Sequence, residues 1–321
     1  MIQKEEDNDL DQRKEKKNLG KVILSALVGL FLISLIVIYW VFPTNSIDFN
    51  FNSNSNFSAA SEEDMQFYPN MRFPSNIISY YMDESCSLQK RQDMGLAFQI
   101  VQESTALEFQ SFEQNGAIKV YCEKKSDRQE SDPGFFIAGE GGPTNVTVGK
   151  YFNVMRGGEI ILIKDSTCER PNIAIHELLH VLGFNHSTNQ NNIMYPVSRC
   201  KQTIGQDTLD KINELYSYPS LPDLEFEEAS AKMKGRTLDL NITVKNEGLA
   251  NSDNFEIVVY GDGKEIKRIE SDGIKIGYSQ KITLTNALIT QLKINSMEFS
   301  IEANFEEINK DNNKVVLNTL S

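Results

Sequence analysis

Histidine is scarce in this chain, and its scarcity limits the chemistry that the chain can perform. Only three histidines occur among the 321 residues. All three lie within residues 176–186, which read His-Glu-Leu-Leu-His-Val-Leu-Gly-Phe-Asn-His. No histidine remains for a second site elsewhere, so any histidine-based metal chemistry must be confined to this segment.

Clusters of basic residues interleaved with aromatic residues are also missing. The formal net charge is −13 and the pI is about 4.8. A surface of that sign repels phosphate backbones, so we expect no nucleic-acid partner. Hydrophobic residues make up 40% of the chain, and its length is enough for two ordinary domains with real cores.

Lysine and arginine are absent from residue 22 until Arg72, although five of them stand between residues 13 and 21. Residues 22–42 are almost wholly apolar, long enough for a transmembrane helix, and carry Tyr39 and Trp40 near one end. This charge asymmetry predicts a single-pass cell-membrane protein with a cytoplasmic N-terminus and an extracellular remainder. A cleaved signal peptide is the alternative, but no A-x-A-like site follows the apolar run.

The regions beside this predicted helix have few apolar residues. Residues 1–21 are rich in charges of both signs, which indicates a disordered cytoplasmic tail. Residues 43–71 are mostly polar and include many Asn and Ser, which predicts a flexible linker.

Cysteine is sparse, and no C-x-x-C pair exists. The four cysteines all follow the predicted membrane helix, and an even number in an oxidising compartment predicts two disulfides. A second zinc site is the weaker alternative. The four residues are Cys86, Cys122, Cys168 and Cys200.

The histidine segment has the spacing of a catalytic metal site. On a helix, His176 and His180 project from one face, and Gly183 allows the chain to turn so that His186 becomes a third ligand. Three neutral nitrogens with one open position are typical of catalytic rather than structural zinc. Glu177, beside the first ligand, can act as general base toward a zinc-activated water.

The residues after the third histidine extend the pattern. Ser187 follows directly, and Met194-Tyr195-Pro196 comes a few residues later. The motif H-E-x-x-H-x-x-G-x-x-H with a downstream methionine turn resembles the metzincins, and the serine and Met-Tyr-Pro resemble their matrixin branch. The resemblance implies a matrixin-like zinc protease domain at 72–219, an α+β fold with a mixed sheet and an active-site helix, and a protein or peptide substrate.

The resemblance also implies roles for individual residues. Met194 would form a hydrophobic floor beneath the zinc, and Tyr195 and Pro196 would line the substrate pocket. Cys86–Cys122 and Cys168–Cys200 would be the disulfide pairs. Substrate would lie along an edge strand near 146–154, preceded by a glycine-rich loop at 139–143 that binds calcium or substrate, or is an ordinary turn.

Local patterns predict the elements of this domain. Strands are expected at 77–82, 107–112, 117–121, 146–154 and 160–163. Ser87 is suited to cap the helix that follows it, and a closing helix is expected at 207–216.

Residues 222–321 change character, because they contain no cysteine and several short segments of alternating hydrophobicity. About seven such strands predict an all-β sandwich. Pro222-Asp223-Leu224, residues 243–248 and Asp311-Asn312-Asn313 resemble cell-adhesion-related immunoglobulin-like domains. That resemblance implies a surface or cell-wall partner.

Together these patterns predict a membrane-anchored, extracytoplasmic zinc endopeptidase with Glu177 as general base. The alternative is a surface adhesion protein with a catalytically weak metzincin domain, and a third possibility is proteolysis that serves only self-release. Residues 43–71 contain no cysteine, so latency through a thiol on the zinc is not supported.

Overall fold

The computed structural model describes residues 21, 23–37, 46–52, 65–123, 138–291 and 293–318. Within these residues the chain forms fourteen strands, numbered below in chain order, and three helices that we label α1 to α3. Residues 21 and 23–37 are also helical and are left unlabelled.

The predicted membrane helix at 22–42 falls partly outside these residues, since 22 and 38–42 are not described. In the part of the chain that is described, no helix combines the length and the apolar character needed to cross a bilayer.

Among the described residues, 65–123 and 138–218 form the first domain, which is built on one mixed sheet. Its parallel strands pair in the order β2-β7-β5-β3-β4. Strands β2 and β5 share one edge of β7, at residues 153–154 and 158–162, and β6 pairs antiparallel with the other edge. The elements are β2 (Met71–Arg72), β3 (Ile77–Met82), α1 (Leu88–Ser104), β4 (Glu108–Ser111), β5 (Ile118–Cys122), β6 (Gly139–Val148), β7 (Asn153–Leu162), α2 (Asn172–Val181) and α3 (Gln206–Ser217).

Helix α2 is the centre of this domain. Nine of its ten residues are buried, as expected for a helix that is apolar on most faces and enclosed by its neighbours. It packs closely on β7 at Gly158, where a Cβ would lie 2.3 Å from Val181 Cγ1. Helix α1 begins as predicted at Ser87, whose hydroxyl accepts a hydrogen bond from the backbone N–H of Lys90.

A buried arginine fixes helix α3 against the sheet. Arg72 is only 1% exposed, and its guanidinium donates to the backbone carbonyls of Leu215 and Tyr218 at the end of α3. It also lies 4.4 Å from the centre of the Tyr216 ring. Unpaired helix-terminal carbonyls favour a cation, so this contact stabilises the closing helix.

Two disulfides staple the first domain, and both expected pairings are confirmed. Cys86–Cys122 joins the loop before α1 to the end of β5, and Cys168–Cys200 joins the segment before α2 to the segment after the methionine turn. A disulfide that closes a loop of this length contributes about 4 kcal/mol to stability.

The second domain is a sandwich of two four-stranded antiparallel sheets, with orders β1-β8-β9-β12 and β11-β10-β13-β14. Their facing apolar residues form one core. The strands are β1 (Ile47–Asn52), β8 (Leu224–Lys234), β9 (Thr237–Asn246), β10 (Phe255–Gly261), β11 (Lys264–Ser271), β12 (Ser279–Leu288), β13 (Ser296–Glu302) and β14 (Lys314–Asn318).

The prediction of a flexible linker at 43–71 is wrong in both parts of the segment that the structure describes. Residues 47–52 form β1 of the sandwich, which lies before the first domain in the chain. Residues 65–67 belong to the first domain, since Gln66 bridges Phe184 and the Phe67 N–H donates to the Gly183 carbonyl. At 43–45 and 53–64, which lie outside the described residues, the linker remains a prediction.

The prediction for residues 139–163 is also wrong in detail. The expected strand at 146–154 spans a hairpin turn, because β6 ends at Val148 and β7 begins at Asn153. The glycine-rich stretch 139–143 is not a loop but the first half of β6. Two of its glycines, Gly139 and Gly141, are required by close packing on helix α2, which is described below.

The hairpin turn between β6 and β7, at residues 149–152, contacts the sandwich. The Lys150 ammonium lies 2.9 Å from a carboxylate oxygen of Glu225, and the Lys150 N–H donates to Glu247. Both carboxylates are buried, so this contact satisfies groups that would otherwise be costly to bury. Beside it, Phe152 and Val154 of the first domain pack with Leu249 and Ile276 of the sandwich.

Candidate metal centre

The three histidines converge on one point. His176 and His180 come from one face of α2, and His186 comes from the turn after it. One ring nitrogen from each lies within 4.8 Å of the others. The Nε2 atoms of His176 and His180 are 3.0 Å apart, and those of His180 and His186 are 3.2 Å apart.

Gly183 makes this convergence possible. Its φ is +93°, a conformation that L side chains rarely adopt, and a Cβ there would lie 2.8 Å from Met71 Cβ. The helix therefore ends at a residue that only glycine accommodates, and the chain turns back toward the first two histidines.

Backbone carbonyls orient the two buried rings. His176 Nδ1 lies 2.6 Å from the Ile193 carbonyl oxygen, and His180 Nδ1 lies 2.8 Å from that of Phe184. A carbonyl can only accept, so each Nδ1 carries the proton and each Nε2 keeps a lone pair. Phe67 stacks on the His180 ring with 5.8 Å between ring centres, which further limits its motion.

The charge state of the site fits a metal ligand set. Burial lowers the pKa of His180 to about 4, and the neighbouring histidines add to the decrease. Burial likewise lowers the pKa of His176 and of His186. Two lone pairs facing each other at 3.0 Å cannot hydrogen-bond to one another, so a cation is the group that suits all three nitrogens.

Glu177 lies on the same helix and lines the same cleft as the histidines. It is only 6% exposed. Burial raises the pKa of its carboxyl to about 8, and the negative charge of Glu140 on β6 adds to the rise. Such a rise is typical of catalytic carboxyls, and a positive charge at the histidines would oppose it.

The cleft beside these residues has a volume of about 670 Å³. Its walls include the start of β6, residues 164–168, the first turn of α2 and residues 196–200. Pro196 lines the cleft, whereas Tyr195 is half-buried and lies outside the lining. Met194 is buried in the core of the first domain, and the Ser187 N–H donates to its carbonyl.

Sequence reasoning missed the way in which β6 contacts the site. A Cβ at Gly139 would lie 2.8 Å from Glu177 Cγ, and one at Gly141 would lie 2.3 Å from the Glu177 carbonyl oxygen. Alternate glycines on one face of a strand are the signal that could have shown this close approach.

Comparison with known families agrees with this geometry. Residues 75–217 match the family model described as Matrixin. They form a matrixin domain. Residues 221–316 match the CARDB family model, so a CARDB domain follows the matrixin domain.

Comparisons with whole proteins add little to this assignment. No curated protein sequence matches the chain. Among solved structures, a CARDB domain of Pyrococcus furiosus, described as a complex with di-metal ions, is 21% identical. The match covers 32% of this chain and 88% of that one, with a TM-score of 0.25. A likeness at this TM-score carries no weight for fold or function.

Proposed function

We propose that the matrixin domain hydrolyses peptide bonds with a zinc ion held by His176, His180 and His186. The observation that carries the proposal is the convergence of three Nε2 atoms, two of them fixed by Nδ1–carbonyl contacts, beside a buried carboxylate. Zinc in such a site supplies Lewis acidity that polarises the scissile carbonyl and makes water nucleophilic at neutral pH.

Glu177 is the general base in this proposal. Its position beside the histidines in the cleft suits it to take the proton of the attacking water and then to deliver it to the leaving amine. Met194 closes the core beneath the site and takes no part in proton transfer.

Strand β6 is the proposed docking edge for the peptide. Among the described strands it pairs only with β7, so its other edge is open to an extended substrate. An added strand gains main-chain hydrogen bonds without regard to side chains, while the cleft at 164–168 and 196–200 selects one substrate side chain. No observation assigns calcium to the site, and a calcium role remains a prediction.

Membrane anchoring and a surface partner for the CARDB domain are further parts of the proposal. The support for an anchor at 22–42, with the domains outside the cell, is the apolar sequence and its flanking charges. Protease added to intact cells should then remove residues 72–321 and leave a small N-terminal fragment. Complete protection of the matrixin domain would refute this orientation.

The test of the catalytic proposal is metal content and casein hydrolysis by residues 46–321, with and without a chelator. This fragment keeps β1 and the contact between the domains. We expect about one zinc per chain, hydrolysis that a chelator abolishes, and recovery on addition of zinc. Tight zinc binding with no hydrolysis of any peptide would favour the alternative, a surface adhesion protein with a catalytically weak metzincin domain.

A further inference from the structure

Strand β1 completes the sandwich from outside the region that matches the CARDB model. The match begins at residue 221 and includes seven strands, β8 to β14, whereas β1 lies at 47–52, before the matrixin domain. In the described structure, β1 lies on the edge of β8 and beside β14 of the facing sheet. Its neighbours therefore belong to the sandwich and not to the domain that follows it in sequence.

The residues of β1 fit this place closely. Phe49 is fully buried in the sandwich core, and Ile47 and Phe51 pack against the same core. Across the strand pair, Phe49 faces Ala231 and Phe51 faces Ala229. Each ring thus lies opposite a small buried side chain, which leaves room for it.

The alternate residues of β1 point away from the core. Asp48 and Asn50 are exposed, and the Asp48 carboxylate lies 3.4 Å from the ammonium of Lys232 on β8. All six residues of β1 pair with β8 in unbroken antiparallel register. Without β1, the backbone N–H and C=O groups on this edge of β8 would be unpaired, and the apolar core beside them would be exposed.

The connection from β1 to the matrixin domain is a short polar sequence. Residues 53–64 contain four serines, two asparagines and three acidic residues. Small and polar residues of this kind are typical of sites where proteases cut a chain. The contacts of β1 with β8 do not depend on this stretch of chain.

We propose that the β8 edge is a binding site for an extended peptide, and that residues 47–52 occupy it as a separable strand. Cleavage between residues 53 and 64 then leaves the N-terminal segment bound to the sandwich without a covalent link. A cut there does not by itself release the two domains from whatever holds residues 1–46. This proposal does not depend on the zinc chemistry.

The test inserts the recognition sequence of a site-specific protease between Ser58 and Ala59 of the full chain. After complete cleavage in detergent, gel filtration at micromolar concentration should elute the N-terminal fragment together with the rest. The same experiment on a chain that starts at residue 46 removes the apolar stretch at 22–42. If the two pieces of the shorter chain separate, the proposal is overturned. Retention of the N-terminal fragment in the full chain would then be due to residues 22–42 and not to β1.

Matched variants test the binding site itself. Phe49→Ser removes the buried ring, and Asn50→Ser makes a similar change on the exposed face of the same strand. We expect Phe49→Ser to weaken retention by at least about a hundredfold, the usual scale for deleting a buried aromatic ring, and Asn50→Ser to behave as the parent. An excess of a synthetic peptide of residues 46–52 should displace the cleaved strand. Equal retention of both variants, or no displacement by the peptide, would refute the proposal.

Discussion

Gly141 of β6 packs directly on Glu177 of helix α2, at a distance that leaves no room for a side chain. A Cβ at Gly141 would lie 2.3 Å from the Glu177 carbonyl oxygen, so this contact limits how closely β6 can approach helix α2. The adjacent Gly142 has nothing within 4 Å of the corresponding position.

The contrast between these two glycines gives the first prediction. Gly141→Ala should push β6 away from α2, lowering kcat/KM and costing about 1–3 kcal/mol of stability, as overpacking does. Gly142→Ala should change stability by less than about 0.5 kcal/mol, as an unobstructed surface substitution does. Peptide hydrolysis measures the change in kcat/KM of the two variants, and thermal unfolding measures the change in their stability. Equal effects would show that the contact does not position the strand.

The second prediction separates the base from the ligands. Glu177→Ala removes the proposed proton acceptor but leaves the three histidines, so zinc content should stay near one per chain. Hydrolysis should fall by at least about a hundredfold, the lower range of general acid–base catalysis. His180→Ala should lose both zinc and activity, because two remaining nitrogens hold zinc weakly. Hydrolysis by Glu177→Ala at the parent rate would refute the mechanism.

The third prediction concerns the turn after helix α2. In Gly183→Ala the residue has an unfavourable φ of +93°, and its added Cβ clashes with the side chain of Met71. In Gly263→Ala the φ of +76° is also unfavourable, but the added Cβ has no atom within 4 Å. Both variants should lose about 1 kcal/mol for the backbone conformation alone. Only Gly183→Ala should lose more than this and also bind zinc more weakly, because His186 depends on the turn. Calorimetry and zinc titration compare them, and unchanged zinc affinity would contradict the assigned role of the turn.

The fourth prediction is a pH dependence of the CARDB domain. Asp223 is 1% exposed, and its burial together with the nearby Glu225, Glu307 and Glu247 raises the pKa of its carboxyl to about 6. In the unfolded chain an aspartate titrates near 3.9. The folded state therefore holds the proton more tightly, and this contribution to stability is present below about pH 4 and lost as the pH rises through 6.

Asp223→Asn should remove that dependence. The amide oxygen can still accept the hydrogen bond that Asn312 donates to Asp223. Relative to the parent, the variant should gain up to about 2 kcal/mol between pH 4 and pH 7. The unfolding of both proteins at pH 4, 5, 6 and 7 measures the difference. A difference that is constant across this range would show that Asp223 does not titrate there.

Local signals allowed the metal centre to be predicted from sequence. The positions of His176, His180 and Gly183 follow from helical spacing and from one backbone conformation, and neither depends on distant residues. The strand at 77–82 is similarly predictable, because its residues are mostly apolar or aromatic. The pairing Cys86–Cys122 followed from the family resemblance, which supplied contacts that spacing alone does not.

The parts that could not be predicted depend on distant contacts. Residues 47–52 alternate apolar and polar side chains over only six positions inside a polar segment, and the partner strand lies beyond the whole matrixin domain. The stretch 139–143 has three glycines and a proline, which favour a turn locally. Its strand conformation follows from packing on Glu177, which no local pattern contains.

The position of β1 has a consequence for the order of folding. In topological terms the CARDB sandwich is discontinuous, and the matrixin domain is inserted between its first and second strands. During synthesis β1 is made first, yet β8 is made only after the whole matrixin domain. The inserted domain can fold and form its disulfides while β1 is still unpaired. The pairing of β1 with β8 is then a late step that joins residues far apart in the sequence.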